Sequence, residues 1–184
     1  SFVAMRRYLE KWSARHGMTF ENFDDDPWVI SWSEGDPSVA FVMHADVVPV
    51  VEDVEAARPR VPAGWSTPPF EVVERGGRLY GRGTEDDKGP RAAVLETMAT
   101  LAALGYQPQG KIQAILGTGE EHDWTGMKAY AASATHARHV VSIDANFPVV
   151  VAESGFVRWI LTAPRGGGGT GCAEVVRAKA GQFL

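Results

Sequence analysis

Residues 39–46 read VAFVMHAD and residues 111–121 read KIQAILGTGEE, and these two stretches decide the fold. Each begins with a short apolar run, Val39–Met43 or Lys111–Leu116, which is typical of a buried β-strand. Each run is followed by ionisable residues. The pattern predicts a sheet whose strands deliver charged side chains to one edge.

Helix and strand patterns alternate outside these two stretches. Apolar residues at helical spacing predict a surface helix over residues 2–15, with Gly17 as its C-terminal cap. The other predicted elements are strands at Trp28–Trp32, Arg78–Tyr80 and Val140–Ile143, helices at Ala92–Leu104 and Met127–Ala134, and a strand pair around Val149–Thr162. The prolines of Val50–Pro69 predict a long surface loop. The alternation favours an α/β fold with helices on the faces of a sheet.

Ionisable residues cluster where the predicted strands stop. His44 and Asp46 follow one strand, Glu120 and Glu121 the second, and Asp144 a third, while Asp86 and Asp87 lie in a glycine-rich loop. In open α/β sheets the ligand crevice lies outside the carboxyl ends of the strands. Several carboxylates in one crevice repel one another unless cations lie among them. An imidazole with carboxylates suits Zn²⁺, Mn²⁺ or Co²⁺ better than Ca²⁺ or Mg²⁺.

Each piece of this pattern also has a structural explanation. A His-x-Asp at a strand end is usually a hydrogen-bonded pair. Acidic residues before a helix, such as Asp86-Asp87 before a helix predicted to begin near Gly89, usually stabilise its positive end. An aspartate after a strand is often a turn residue. These explanations account for each residue separately but not for their occurrence together in this order.

Composition limits the function classes. The chain has 184 residues, 45% of them hydrophobic and 22% charged, as in ordinary globular domains. A net charge of −5, with no basic cluster longer than Arg6-Arg7, argues against nucleic-acid binding, and the apolar runs are too short to span a membrane. The single cysteine, Cys172, excludes a disulfide scaffold within the chain and a structural cysteine zinc site. It fits a reducing compartment, and we expect a cytoplasmic protein.

Four segments resemble the consecutive signatures of the M20 metallopeptidases, most closely the dipeptidase branch. They are HADVVPV (44–50), YGRGTEDDKGP (80–90), GTGEEHDW (117–124) and SIDANFPVVVAESG (142–155). The resemblance implies a three-layer α/β/α sandwich of the zinc-peptidase catalytic type, combined in the family with an inserted lid domain. It implies two Zn²⁺ ions per complete site, with Mn²⁺ or Co²⁺ as alternatives.

The resemblance also implies a role for each matching residue. His44, Asp86, Glu121 and Asp144 match metal ligands, with Asp86 bridging the two ions. Glu120 matches the general base that takes a proton from the metal-activated water, and Asp46 the carboxylate that orients His44. The bond between Asp86 and Asp87 matches one that is cis in the family.

Two features depart from the family pattern. The family takes a further metal-binding histidine from a downstream segment, whereas no histidine follows His139 in this sequence. His136 and His139 are expected at the surface. We expect residues 1–158 to be a partial catalytic domain and residues 159–184 to be the start of a lid or a linker, so that the lid is largely absent and the chain is a fragment.

The predicted function is hydrolysis of the amide bond of dipeptides or short peptides. An N-acyl amino acid deacylase would share every residue named above, and a catalytically silent binding or assembly module could retain the same signature. We expect a short peptide as the partner, with neither nucleic acid nor membrane. The assembly to consider is a homodimer.

Overall fold

The computed structural model describes residues 2–50, 61–145, 150 and 152. The chain divides into one unit of residues 1–144 and a second of residues 145–184, of which three residues are described. Most of the predicted strand pair at Val149–Thr162, the predicted domain boundary at 158–159 and residues 159–184 lie outside the described residues. So do residues 51–60 of the predicted loop.

The first unit contains three α-helices and seven strands among its described residues. In chain order they are α1 (Phe2–Arg15), β1 (Thr19–Asn22), β2 (Trp28–Trp32), β3 (Pro37–His44), β4 (Val73–Arg75), β5 (Arg78–Tyr80), α2 (Gly89–Ala103), β6 (Lys111–Gly117), α3 (Thr125–Ser133) and β7 (His139–Ser142). A π-helical turn, Thr84–Lys88, immediately precedes α2.

Five strands form one mixed sheet in the order β1-β2-β6-β3-β7, and β4 and β5 form a separate hairpin. Strand β3 pairs in parallel with both β6 and β7, whereas β2 is antiparallel to β6 and to β1. The carboxyl ends of β3, β6 and β7 therefore lie along one edge. The amino end of β2 lies at the same edge, since Trp28 pairs with Leu116.

Helices cover both faces of the sheet. On one face, Leu9 and Trp12 of α1 and Leu95 and Met98 of α2 pack in a core cluster with Trp28 and other sheet residues. On the other face, Tyr130 of α3 packs with Val29, Ala40 and Ile115. The predicted α/β fold and its three-layer arrangement are confirmed.

The observed elements differ from the predicted ones mainly at their ends. Helix α2 begins at Gly89, as predicted from the acidic pair before it, and so starts three residues before the apolar stripe Ala92–Leu104. Pro90 fits the first turn of a helix, where no backbone N–H bond is needed. Helix α3 begins two residues earlier than predicted and ends one residue earlier. The sequence analysis missed β1 and β4, which are short and mostly exposed and so lack an apolar run. In the part of the chain that the structure describes, no helix is long and apolar enough to cross a membrane.

Candidate metal centre

The three parallel strands bring the predicted site residues to one edge of the sheet. His44, the last residue of β3, pairs with Gly117 at the end of β6. Val42 of β3 pairs with Ser142 at the end of β7, two residues before Asp144. The edge predicted from the sequence is thus the edge at which these residues meet.

His44 is the centre of the site. Its side chain is 1% exposed, and its Nε2 atom lies 2.6 Å from Asp86 Oδ1 and 3.8 Å from Asp144 Oδ2. Its Nδ1 atom lies 3.3 Å from Asp46 Oδ1. One ring nitrogen therefore faces an orienting carboxylate and the other faces two carboxylates, as a metal-ligating imidazole requires.

One wall of the site, which we call the Asp86 wall, is the π-helical turn Thr84–Lys88. The backbone of Asp86 and Asp87 is non-helical within it, and the predicted cis bond between these two residues is confirmed. The turn follows Gly83, which has φ 75° and where a Cβ atom would lie 2.6 Å from Val47 Cγ1. Only glycine satisfies both conditions at this position.

The two neighbouring aspartates have different environments. The side chain of Asp86 is 59% exposed, whereas Asp87 is buried and its Oδ2 atom accepts a hydrogen bond from the backbone N–H of His44 at 3.1 Å. The buried Arg91 of α2 donates to the carbonyl oxygen of His44 at 3.1 Å. Asp87 and Arg91 thus hold both backbone polar groups of His44, and the sequence analysis gave neither residue this role.

The opposite wall, the Glu120 wall, consists of residues 118–121. Asp46 holds it, because its Oδ1 accepts a hydrogen bond from the backbone N–H of Glu120 at 3.2 Å and its Oδ2 accepts one from that of Glu121 at 2.9 Å. Asp46 is therefore more than the orienting partner of His44. The side chain of His122 is exposed, and its Nδ1 lies 3.4 Å from Asp46 Oδ2.

Burial and the concentration of carboxylates together shift the pKa of groups in the site. Burial raises the pKa of Glu120, and the charges of Asp144, Glu121 and Asp46 raise it further, against an opposing effect of His44. Burial lowers the pKa of His44, but the hydrogen bond to Asp86 and the surrounding carboxylates produce a net increase. Burial likewise raises the pKa of Asp87. Cations in the site would offset the repulsion from Asp144, Glu121 and Asp46 that contributes to the raised pKa of Glu120.

Two groups of side chains in the described residues are close enough to hold metal ions. Ligand atoms of His44, Asp86 and Asp144 lie within 4.8 Å of one another, and so do those of His44, Glu120 and Glu121. The donor set, imidazole with carboxylates, suits zinc, manganese or cobalt. Asp86 and Glu121, which the resemblance assigns to the second ion, fall in different groups, so that assignment stays a prediction.

The two remaining candidate histidines, His136 and His139, are exposed, as expected. Neither belongs to a group of metal-binding side chains in the described part of the chain. The sequence analysis also gave no role to Asp26, which contacts the start of the Glu120 wall. Its position two residues before a buried strand was the available signal, and it was not used.

The chain is similar to known proteins in sequence and in fold. Residues 40–160 match peptidase family M20/M25/M40. The chain is 34% identical over 153 residues to a beta-Ala-Xaa dipeptidase of Lactobacillus delbrueckii subsp. lactis, an alignment that covers 83% of this chain and 30% of that protein. It is 31% identical over 150 residues to the putative dipeptidase YtjP of Bacillus subtilis, with 82% and 30% covered. The chain thus spans about a third of the length of these relatives.

Two solved structures have the same fold. Human carnosine dipeptidase 1 superposes with a TM-score of 0.64 at 21% identity, over 78% of this chain and 33% of that one. The dipeptidase Dug1p of Saccharomyces cerevisiae gives a TM-score of 0.61 at 16% identity, over 85% and 34%. Because the family match covers residues 40–160 and contains every residue of the candidate metal centre, the chain belongs to peptidase family M20/M25/M40.

Proposed function

We propose that this chain carries the metal-binding side of a dipeptidase active site, which hydrolyses the amide bond of a short peptide. One observation supports this most strongly. A buried imidazole, His44, lies within 4.8 Å of two different pairs of carboxylates while a third carboxylate, Asp46, backs its other nitrogen. Burying an imidazole among so many carboxylates lowers the stability of the folded protein unless cations bind there.

The proposal includes two metal ions bound at this site, Zn²⁺ in the simplest case. His44, Asp86 and Asp144 would hold one ion, and Glu121 with Asp86 would hold the other. A divalent ion bound there supplies a water of lowered pKa and polarises the substrate carbonyl. Mn²⁺ and Co²⁺ suit the same donor set.

Glu120 is the general base of the proposed reaction. It is half-buried, belongs to the same group of side chains as His44 and Glu121, and its pKa is raised, so its carboxylate accepts a proton more readily than an exposed glutamate does. It removes a proton from the attacking water and later delivers it to the leaving amine. Its backbone N–H is held by Asp46, which limits the positions that the carboxylate can take.

The substrate class comes from the relatives, which are named as dipeptidases. Because the chain spans about a third of their length, the substrate and the reaction are proposals for the whole protein. A homodimeric assembly and a cytoplasmic location also stay predictions.

The test compares two adjacent glutamates in a form of the protein that spans the length of its relatives. Glu120→Gln should slow hydrolysis of a dipeptide by about two to four orders of magnitude while zinc content is unchanged, because only the base is lost. Glu121→Ala should lose bound zinc. The measurements are turnover by mass spectrometry and metal content by elemental analysis after dialysis.

The matched control is Glu10→Gln, which changes an exposed glutamate of α1 and should alter neither quantity. If Glu120→Gln retained normal turnover, or if both site variants lost zinc equally, the division of roles would be wrong. If the unmodified protein bound zinc but hydrolysed no peptide, the dipeptidase proposal would fail and the silent binding module would take its place.

A further inference from the structure

Asp26 lies at the edge of the metal centre but belongs to neither metal-binding group in the described residues. We infer that Asp26 is a positioning residue for Glu120: it fixes the start of the Glu120 wall and thereby the placement of the general base. This inference rests on the proposed function for its catalytic consequence.

The sheet topology brings Asp26 to this place. Strand β2 runs antiparallel to β6, and Trp28 at the start of β2 pairs with Leu116 near the end of β6. The residues just before β2 therefore face those just after β6. Asp26 Oδ1 accepts a hydrogen bond from the backbone N–H of Thr118 at 2.8 Å, and the Thr118 hydroxyl donates to the carbonyl oxygen of Asp25 at 2.9 Å.

The side chain of Asp26 fills a space that glycines leave open. At Gly126, near the start of α3, an added Cβ atom would overlap the Oδ2, Cγ and Cβ atoms of Asp26. At Gly119 an added Cβ atom would lie 3.6 Å from the same Oδ2. The carboxylate is therefore packed between the Glu120 wall and the first turn of α3. A small displacement of this side chain would bring it against backbone atoms.

The loop that carries Asp26 is itself held in place. Asn22 and Asp25 form two hydrogen bonds of 3.0 Å, one between their side chains and one from the Asp25 N–H to the Asn22 side chain. Arg6 of α1 forms an ion pair with Asp25. These contacts tie Asp25, the residue before Asp26, to helix α1 and strand β1, and so limit the movement of the loop that carries Asp26.

Two carboxylates therefore hold the backbone of residues 118–121 from two sides. Asp26 binds the N–H of Thr118, and Asp46 binds those of Glu120 and Glu121. Asp46 also contacts His44, whereas Asp26 has no contact with a metal-binding side chain that the structure describes. Loss of Asp26 should therefore displace the Glu120 wall, and with it the base, while the ligands of the other group, His44, Asp86 and Asp144, stay in place.

The test uses Asp26→Ala and Asp26→Asn in the protein that spans the length of its relatives, with zinc bound. Asp26→Ala should lower kcat for a dipeptide about 10- to 100-fold with little change in KM, because misplacement of a reacting group by about 1 Å costs rate rather than binding. The zinc ion proposed at His44, Asp86 and Asp144 should be retained. Asp26→Asn retains an acceptor oxygen for Thr118 and should recover most of the rate.

A second measurement needs no activity. Hydrogen exchange of the Thr118 amide, followed by NMR in the 184-residue chain, should accelerate about tenfold or more in Asp26→Ala and change little in Asp26→Asn. Gly126→Ala, which pushes the Asp26 side chain aside, should reproduce the effect of Asp26→Ala. Asp24→Asn is the matched control, since it removes an exposed charge two residues away in the same loop.

The outcomes separate this inference from the proposed function. Faster Thr118 exchange in Asp26→Ala together with unchanged kcat would overturn the positioning role, and so would unchanged exchange. Lower kcat in Asp26→Ala that Asp26→Asn does not recover would also overturn it, because the charge rather than the acceptor would then matter. A protein that hydrolyses no dipeptide would refute the proposed function, while the exchange data would still decide whether Asp26 fixes the wall.

Discussion

The Asp86 wall and the Glu120 wall face the same histidine but are held in opposite ways. The Asp86 wall is held through side chains. Asp87 accepts a hydrogen bond from the backbone N–H of His44, and Arg91, in the helix that follows, donates one to the His44 carbonyl oxygen. The Glu120 wall is instead held through its backbone N–H groups, which donate hydrogen bonds to the carboxylates of Asp46 and Asp26. The comparison shows that two segments that supply ligands to one site can be held in position by different sets of residues.

The two walls also differ in what they offer a metal ion. The Asp86 wall, with Asp144 from the end of β7, surrounds His44 Nε2 with two carboxylates. The Glu120 wall offers two carboxylates and must share the same imidazole. If His44 binds with the first group, that position has three protein ligands, His44, Asp86 and Asp144, which is enough for a zinc site with an open position. The second position then has only carboxylates.

The largest expected difference follows from this ligand count. A polypeptide of residues 1–184 should retain one zinc ion per chain after dialysis and show no measurable dipeptidase activity, because the second position has too few donors. A form spanning the length of the relatives should retain two ions and turn over. Elemental analysis beside a dipeptide assay on both forms measures this. Two retained ions with full activity in the shorter polypeptide would show that the second position is complete without further residues.

The next effect breaks the Asp86 wall alone. Arg91→Met removes the donor to the His44 carbonyl and leaves the buried Asp87 without its neighbouring positive charge, and it should lower the free energy of unfolding by about 3 kcal/mol. Urea denaturation measures this. Arg7→Met, at an exposed arginine of α1, should change stability by less than about 0.5 kcal/mol. A comparable loss in both variants would mean that Arg91 acts only through general packing.

The smallest expected effect breaks the Glu120 wall. Asp46→Ala should weaken zinc binding about 10- to 100-fold, because His44 loses the group that orients it, and the amides of Glu120 and Glu121 should exchange faster. Zinc titration and NMR measure the two effects. Asp36→Ala, at an exposed aspartate, is the control. Unchanged zinc affinity would show that Asp46 holds the backbone of Glu120 and Glu121 but does not orient His44 for metal binding.

Sequence patterns predicted much of the fold. The apolar runs and helical stripes predicted α1, β2 and β6 within a residue at each end, because burial imposes a period on the sequence. The short strand β5 was also predicted, although it is mostly exposed. Exposed β1 and the hairpin strand β4 were missed, since a strand that buries little surface has no such period. The start of α2 near Gly89 was predicted from the acidic residues before it, and Pro90 occupies its first turn.

The sequence by itself determined which chemical groups gather in the site, because parallel strands must end at one edge and the ionisable residues directly follow those strands. Only the tertiary structure decided how those groups are held. That Asp46 binds two backbone N–H groups of a segment 74 residues away, and that Asp26 reaches the same segment from a separate loop, depends on strand order and direction. A sequence pattern records periodicity along the chain, whereas a hydrogen bond between distant segments leaves no periodic trace.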